Sequence, residues 1–453
     1  MPSPEDQLDA RVRSLLSRRV RTRPGLAAEL GVIQPELASV FHRLAPELIP
    51  KVGGDADQYA LRDASRKGLQ APVYRVSAAG LLEEIGALIP VLPEGFVLMK
   101  SDGTSLHSEG LPWWLFDMRP QGYLGRAYNQ AQGARLGTPS NLADWDDRHI
   151  LQSLLRSGHD LPGDLILGEA AKQAFIKAPS PSPISAADKT LAYAALAAAA
   201  ARGEQLACAA GGEQPKFTAY AHRESGAAEH VIVKFSLLPD SPTCERWRDL
   251  LLAEHLALEV LRSHGIPAAN SSVIDHGPQR FLEVCRFDRQ GLRGRRGLFS
   301  VQALDAEFAG AAGNWPSLVR ALAHEGVVEH QAAALTEVLW AFGTLIGNTD
   351  MHGGNLSFLA DQGRPYQLAP AYDMTCMAFA PTPAGVLPAR RLHLNISSEA
   401  PVSAWQRALP MAQDFVGRLR GQPCLSEGFA GCMAVLSEHI DAASKCISQL
   451  PPT

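Results

Sequence analysis

Apolar positions recur along the chain in short runs of helical or strand spacing, and these runs set the expected elements. Residues 8–16, 24–30 and 35–44 predict three short helices with a turn at Gly31, and 51–54 and 58–61 predict two short strands. A short helix, a glycine turn and a second short helix form the helix-turn-helix pattern, and the paired strands supply a wing. Beyond a strand-like piece at 96–99, the Pro/Ser-rich stretch 177–185 (KAPSPSPIS) reads as a linker leading into a helix at 186–201. Residues 217–220 and 230–235 then read as strands, and 244–264 as a long amphipathic helix with Leu250, Ala253, Leu256, Ala257, Val260 and Leu261 on one side. Two strands follow around Gly277-Pro278, at 273–275 and 280–287, and an apolar helix at 332–346 precedes a polar, glycine-rich block at 347–358. Helices are expected again from about residue 404 onward.

Composition narrows the class. At 453 residues, the chain is long enough for several domains. Its 46% hydrophobic and 20% charged residues suit a globular protein. A net charge of −5 argues against a wholly basic nucleic-acid coat. Seven cysteines without a C-x-x-C pair predict reduced thiols rather than a disulfide framework or a zinc site. The acidic start MPSPEDQLDA lacks the apolar core of a secretory signal, and no run is long enough to span a bilayer. These features predict a cytoplasmic protein with no membrane partner. One local exception to the acidic balance stands out. Arg11, Arg13, Arg18, Arg19, Arg21 and Arg23 follow one another without an intervening acid, and Arg18, Arg19, Arg21 and Arg23 are the candidate phosphate contacts of a DNA-binding face. The alternative is a solvated arginine run.

Candidate chemistry centres on GNTDMHGGNLSF at 347–358. Asp350 and Asn355 are five apart with His352 between them, and Asp373 follows in LAPAYDMT. A carboxylate to accept a hydroxyl proton, followed by an amide and a second carboxylate to hold a hard cation, are the parts of a protein-kinase site. Upstream, Gly211 and Gly212 in AAGGEQPK allow a close backbone approach to phosphates. Lys234 is the single charge in the apolar strand HVIVKF, where a lysine is costly unless paired. Glu254, on the following helix, is its candidate partner. Trp113, Trp114, Phe116 and Tyr123 are read as core aromatics.

Taken in order, GGEQPK, HVIVKF, CRFDR, GNTDMHGGN and LAPAYD resemble the HipA-type kinases, toxin components of type II toxin–antitoxin systems, over roughly residues 76–440. The added N-terminal winged helix resembles the YjjJ branch of that family. The resemblance implies an α+β, bilobal protein-kinase-like fold with a mixed N-terminal lobe and a mostly helical C-terminal lobe. It divides the chain into a winged helix-turn-helix at 1–75, an N-terminal subdomain at 76–180, a kinase N-lobe at 181–290 and a helical C-lobe at 291–453. It implies that Asp350 is the catalytic base and Lys234 the phosphate-binding lysine. Asn355 and Asp373 would hold Mg²⁺. Gly211, Gly212, Gln214, Lys216 and His352 would contact ATP, with Cys285 and Phe287 at the adenine hinge.

Two positions depart from the family. Ala209 stands where a self-phosphorylated serine usually opens the glycine-rich loop, and Gly354 replaces a catalytic-loop lysine. Lys216, or an arginine of 286–296, would then supply the missing cation, and control would fall to the winged helix restraining the lobes. The expected function is an ATP/Mg²⁺-dependent serine/threonine kinase acting on a protein substrate, with DNA and a separate antitoxin as candidate further partners. The competing readings are a DNA-binding regulator with an inactive nucleotide-binding domain, a small-molecule phosphotransferase, and a metal-dependent hydrolase built on Asp350, His352 and Asp373.

Overall fold

A computed structural model describes residues 3–50, 52, 58–202, 212–223, 226–238, 241–382, 384–388 and 391–451. At the N-terminus, the helices Pro4–Leu16, Arg23–Leu30 and Gln34–Arg43 pack on a three-stranded antiparallel sheet of Arg21–Thr22, Gln58–Leu61 and Leu48–Pro50, in that order. Residues 51 and 53–57, where the expected wing would turn, lie outside the described residues. Local chemistry sets the helix boundaries. Ser3 and Asp6 form a capping box, Thr22 caps the second helix, and Gly31 at φ 68° ends it in the left-handed conformation.

The little sheet is buried on both faces because strand side chains alternate. Leu48 and Leu61 join Val12, Leu16, Leu26 and Leu37 beneath the helices. Ile49 and Ala60 point the other way and share a core with Ile89, Val91 and Val97 of the next unit. The expected boundary at residue 75 is therefore corrected. The strand Ala71–Val76 lies inside the following five-stranded sheet, between Leu82–Pro90 and Leu165–Leu167. The N-terminal unit is mounted on this middle sheet, which continues through Phe96–Lys100 and Ser105–Ser108 and carries the helices Gly122–Leu136, Asp147–Ser157 and Gly168–Lys177.

The small lobe is a four-stranded antiparallel sheet in the order Ser271–His276, Gln279–Cys285, Ala228–Phe235, Lys216–His222. Alternation again decides what each residue meets. Val231, Val233 and Phe235 face the helix Lys189–Ala201 and pack with Tyr193, Phe217 and Phe281. Ile232 and Lys234 face the opposite side, and the register sets Lys234 across from Lys216.

Helix Pro242–Ser263 joins the lobes. Leu251 packs under the sheet, whereas Leu250, Ala253, Leu256, Val260 and Leu261 belong to the core of the large lobe. An N-lobe spanning 181–290 therefore places in the small lobe a helix that is held mainly by the large one. The large lobe itself is built on the helices Val301–Phe308, Trp315–His324, His330–Leu345, Val402–Arg420 and Glu427–Ser448. Three short strands, Leu298–Ser300, Ser357–Leu359 and Gln367–Leu368, frame its polar loop. The molecule has the two-lobed, kinase-like architecture expected of it. Among the described residues, no helix is long and apolar enough to cross a membrane.

Candidate active site

A cavity of about 200 Å³ lies where the small lobe, the large lobe and the middle unit meet. Ile232, Val284, Phe287 and Leu298 give it an apolar end, while Lys216, Lys234, Asn355 and Asp373 give it a polar one. Lys234 does not snorkel to solvent. It is 5% exposed, and its ammonium donates to both carboxylate oxygens of Glu254, at 2.7 and 2.8 Å, and to Asp373 at 2.5 Å. Glu254 is 1% exposed, so the pair is a buried one, with each charge compensating the other. Burial alone would lower the Lys234 pKa, but Asp373 and Glu254 outweigh it and hold the ammonium above its ordinary value. Burial would likewise raise Asp373, but the Lys234 and Lys216 charges overcome it and keep that carboxyl low. Asp373 sits at φ 52°, a left-handed conformation rare for a residue with a side chain.

The polar loop is delivered by the apolar helix His330–Leu345, as expected. Asp350 stands beside the cavity rather than in its wall, with its side chain 51% exposed and open to an incoming group. Its backbone N–H donates to Asn348 at 3.0 Å, and Asn355 Nδ2 donates to the Asp350 carbonyl at 2.9 Å. Those bonds tie Asp350 to Asn348 and Asn355. His352 lines the cavity, and its Nδ1 accepts the Gly354 N–H. The Tyr372 hydroxyl bonds the Gly354 carbonyl at 2.8 Å and Ser357 at 2.7 Å, tying the loop to the Asp373 segment.

Cys285 and Phe287 both line the cavity at its hinge edge. The Cys285 thiol donates to Glu229 at 2.8 Å, and burial, reinforced by that bond, pushes it up to about 12. Between them lies a cluster that sequence reasoning missed. Arg286 and Arg289 both bond Asp288, and Arg289 also bonds Asp160 of the middle unit at 2.7 Å. The Gly163 N–H donates to Asp288 at 3.1 Å. Despite burial, the arginines hold the Asp160 and Asp288 carboxyls far below the usual range. CRFDR is thus a clasp between the hinge and the middle unit. The dense alternation of signs in that motif was the available signal.

The arginines of 286–296 and Lys216 differ in what they meet. Arg293 and Arg295 bind backbone carbonyls, and Arg296 binds Asp361, so the arginines of 286–296 are engaged elsewhere. Lys216 and Lys234 line the cavity, as does Arg286, whose guanidinium is bonded to Asp288.

The other expected contacts are divided. Gly212 lines the cavity, and its carbonyl accepts the Tyr123 N–H at 3.0 Å. Gln214 is half-buried in the turn and does not line the cavity. Gly211 and Ala209 lie outside the described residues. Phe116, read as core, instead forms part of the cavity wall, because the middle unit folds over the site.

At the N-terminus the arginine run is partly neutralised. Arg13 pairs with Glu47 at 2.7 Å, Arg21 pairs with Glu29 at 3.0 Å, and Arg23 lies over the Phe41 ring. Arg18 and Arg19 remain exposed. The single positive face expected from sequence is thereby reduced to these two and the outer edge of their neighbours.

Among the described residues, no three His, Cys, Asp or Glu side chains converge to hold a metal by themselves. Asp350, His352 and Asp373 therefore do not form the three-ligand centre a metal-dependent hydrolase would use. One carboxylate and one amide suit a cation that takes its remaining ligands from phosphate and water.

Comparisons with known proteins agree with this anatomy. Residues 67–176 match the profile of the YjjJ-like toxin middle domain, and residues 208–422 match that of the HipA-like C-terminal domain. Toxin YjjJ of Escherichia coli K12 is 36% identical over 439 residues, covering 96% of this chain and 98% of that protein. Among solved structures, HipA of Shewanella oneidensis, in complex with HipB and its operator DNA, matches at 15% identity and a TM-score of 0.47 over 83% of this chain and 97% of that one. The Helicobacter pylori proinflammatory kinase CtkA matches at 16% identity and a TM-score of 0.38, over 52% of this chain and 93% of that one. With its middle and C-terminal profiles in order and a relative matched nearly end to end, the chain belongs to the YjjJ-like branch of the HipA-like toxin family.

Proposed function

We propose that this protein is an ATP- and Mg²⁺-dependent serine/threonine kinase that phosphorylates a protein substrate and acts as a toxin. The observation that carries the reading is the buried Lys234–Glu254–Asp373 group at the polar end of a cavity that Asn355 also lines, with Asp350 standing beside it. Two cations and a glycine turn at one end suit a polyphosphate, and the apolar slot at the other suits a flat base.

Asp373 and Asn355 would hold Mg²⁺, which when bound supplies charge neutralisation for the phosphates. Lys234, kept protonated by its two carboxylate neighbours, would bind phosphate oxygens, and Lys216 would add the charge that Gly354 lacks. Asp350 would orient the acceptor hydroxyl and take its proton. As the hydroxyl oxygen bonds to the γ-phosphorus, the bond from that phosphorus to the β–γ bridging oxygen breaks. The products are ADP and a phosphoester, and the proton rests on Asp350.

The test is to incubate the purified protein with labelled ATP, Mg²⁺ and cell lysate, beside an Asp350→Asn variant. Wild type should label discrete proteins on serine or threonine, and the variant should label none while still binding ATP. Equal labelling by both would refute the mechanism.

A further inference from the structure

A recess of about 500 Å³ opens on the middle unit, where the C-terminal ends of helices Gly122–Leu136 and Asp147–Ser157 come beside the start of helix Gly168–Lys177. None of its residues lines the cavity between the lobes. Leu136, Leu155 and Ala170 give it an aliphatic floor, and Arg135, Arg156 and Gln152 stand around that floor. Both arginines are exposed, and among the described residues neither guanidinium has a hydrogen-bond or ion-pair partner. By contrast, Arg75 and Arg126 of the same unit pair with Asp164 and Glu213, and Arg119 donates to the Phe116 carbonyl. Among the described residues, no carboxylate lines the recess. Glu169, next to Ala170 in the chain, is engaged by Tyr74, Lys172 and Gln173 instead.

An arginine in the last turn of a helix offsets the partial negative charge of the carbonyls left free there, which would account for Arg135 and Arg156 one at a time. It does not account for two of them converging on one aliphatic hollow. Each guanidinium is a planar fork of donors that matches a carboxylate. Two such forks across an apolar floor fit a chain segment that carries acidic and aliphatic side chains close together. A small anion would fill little of the space and leave the floor wet. A nucleic-acid strand would need a track of cations along its phosphates and ring faces for its bases, and no aromatic residue lines the recess.

We infer that this recess is a docking site for an acidic peptide segment of a partner protein, whose carboxylates pair with Arg135 and Arg156 while an aliphatic side chain of the segment sits on Leu136, Leu155 and Ala170. The site stands apart from the cavity between the lobes and does not depend on the kinase reading. All of its lining residues fall within 67–176, the stretch that matches the YjjJ-like toxin middle domain. The middle unit thereby recruits a protein as well as mounting the N-terminal unit.

The test is fluorescence anisotropy of a labelled peptide of alternating Glu and Leu, titrated with the full chain beside the same peptide with Gln for Glu and a labelled oligo-dT. The Glu peptide should bind, about tenfold or more tighter than the Gln peptide, and should weaken as salt is raised. Arg135→Gln combined with Arg156→Gln should raise the Kd of the Glu peptide by about tenfold or more. Ala170→Glu leaves both helix ends as they are and sets a repelling charge on the floor, so it should weaken the peptide likewise. Arginine variants that melt earlier yet hold the peptide at wild-type affinity would show that these side chains only finish their helices, and would overturn the inference. So would a wild type that does not bind the Glu peptide, or one that binds the oligonucleotide through these arginines and not the peptide.

Discussion

Lys234 shows how one residue can carry both stability and chemistry. Because Glu254 is 1% exposed, removing the lysine strands a buried carboxylate, and breaking such a pair costs about 3–5 kcal/mol. Lys234→Ala should therefore lower the urea midpoint of the nucleotide-free protein as well as weakening ATP binding. A melt identical to wild type would mean that the pair is not buried in solution. The low Asp373 carboxyl has a pH consequence of defined sign. Its folded value lies below its unfolded one, so its contribution to stability is complete above the ordinary carboxylate range and is lost as pH falls through the folded value. Stability and nucleotide affinity should thus show no Asp373 step between roughly pH 5 and 8, and acid unfolding should shift to higher pH in Asp373→Asn. Cys285 gives a separate check. With its thiol pushed up to about 12, iodoacetamide at neutral pH should alkylate the exposed Cys424 and Cys446 and spare Cys285, as read by peptide mapping.

Among elements, the decisive contacts are those between turns and neighbouring helices. Gly122 opens the helix Gly122–Leu136 at φ 60°, and a Cβ there would stand 2.4 Å from the Gly212 carbonyl oxygen. That approach lets the Tyr123 N–H hold the Gly212 carbonyl, so the middle unit pins this edge of the cavity in place. Gly122→Ala should push Gly212 away and weaken ATP binding by about tenfold, with much less effect on the melting of the large lobe. Unchanged affinity would show that the turn is free to shift. The CRFDR clasp works in the same way. Asp288→Ala would leave Arg286 and Arg289 with Asp160 as their one remaining shared carboxylate, and should lower the denaturant midpoint.

For the whole molecule, the N-terminal unit rides on the middle sheet. Arg66 donates to the carbonyls of Val91 and Gly95, and Ile49 and Ala60 fill the far side of the sheet that Val91 and Val97 line. The route by which it would influence catalysis is therefore the middle unit and the cavity wall. Deleting 1–75 removes most of the strand Ala71–Val76 and uncovers Ile89 and Val91, so that truncation should aggregate or melt early. Point substitutions separate the roles better. Arg18→Glu with Arg19→Glu should abolish salt-sensitive DNA binding and leave phosphotransfer to protein substrates unchanged. A full chain that shows no DNA binding at low salt would establish these arginines as a solvated face.

Periodicity and spacing determined a good deal on their own. The helices and strands of the small lobe, the lysine strand, the block from Asp350 to Asn355 and the later Asp373 are all local patterns, and local patterns survive in sequence because neighbouring residues alone produce them. The same applies to the capped helices at the N-terminus. What only the tertiary structure decided are contacts between distant segments. Glu254 could equally have faced solvent, and it is the packing of Leu250, Leu256 and Leu261 into the large lobe that turns it onto Lys234. Phe116 and Asp117 carry no periodic signal that separates core from cavity wall, since burial against protein and burial against a cavity require the same residue types. The arginines at the N-terminus read as one charged run, yet Glu29 and Glu47, both downstream of it in the chain, take two of them. Charge, like apolar surface, is spent on whichever partner the fold brings near, and chain order does not specify that partner.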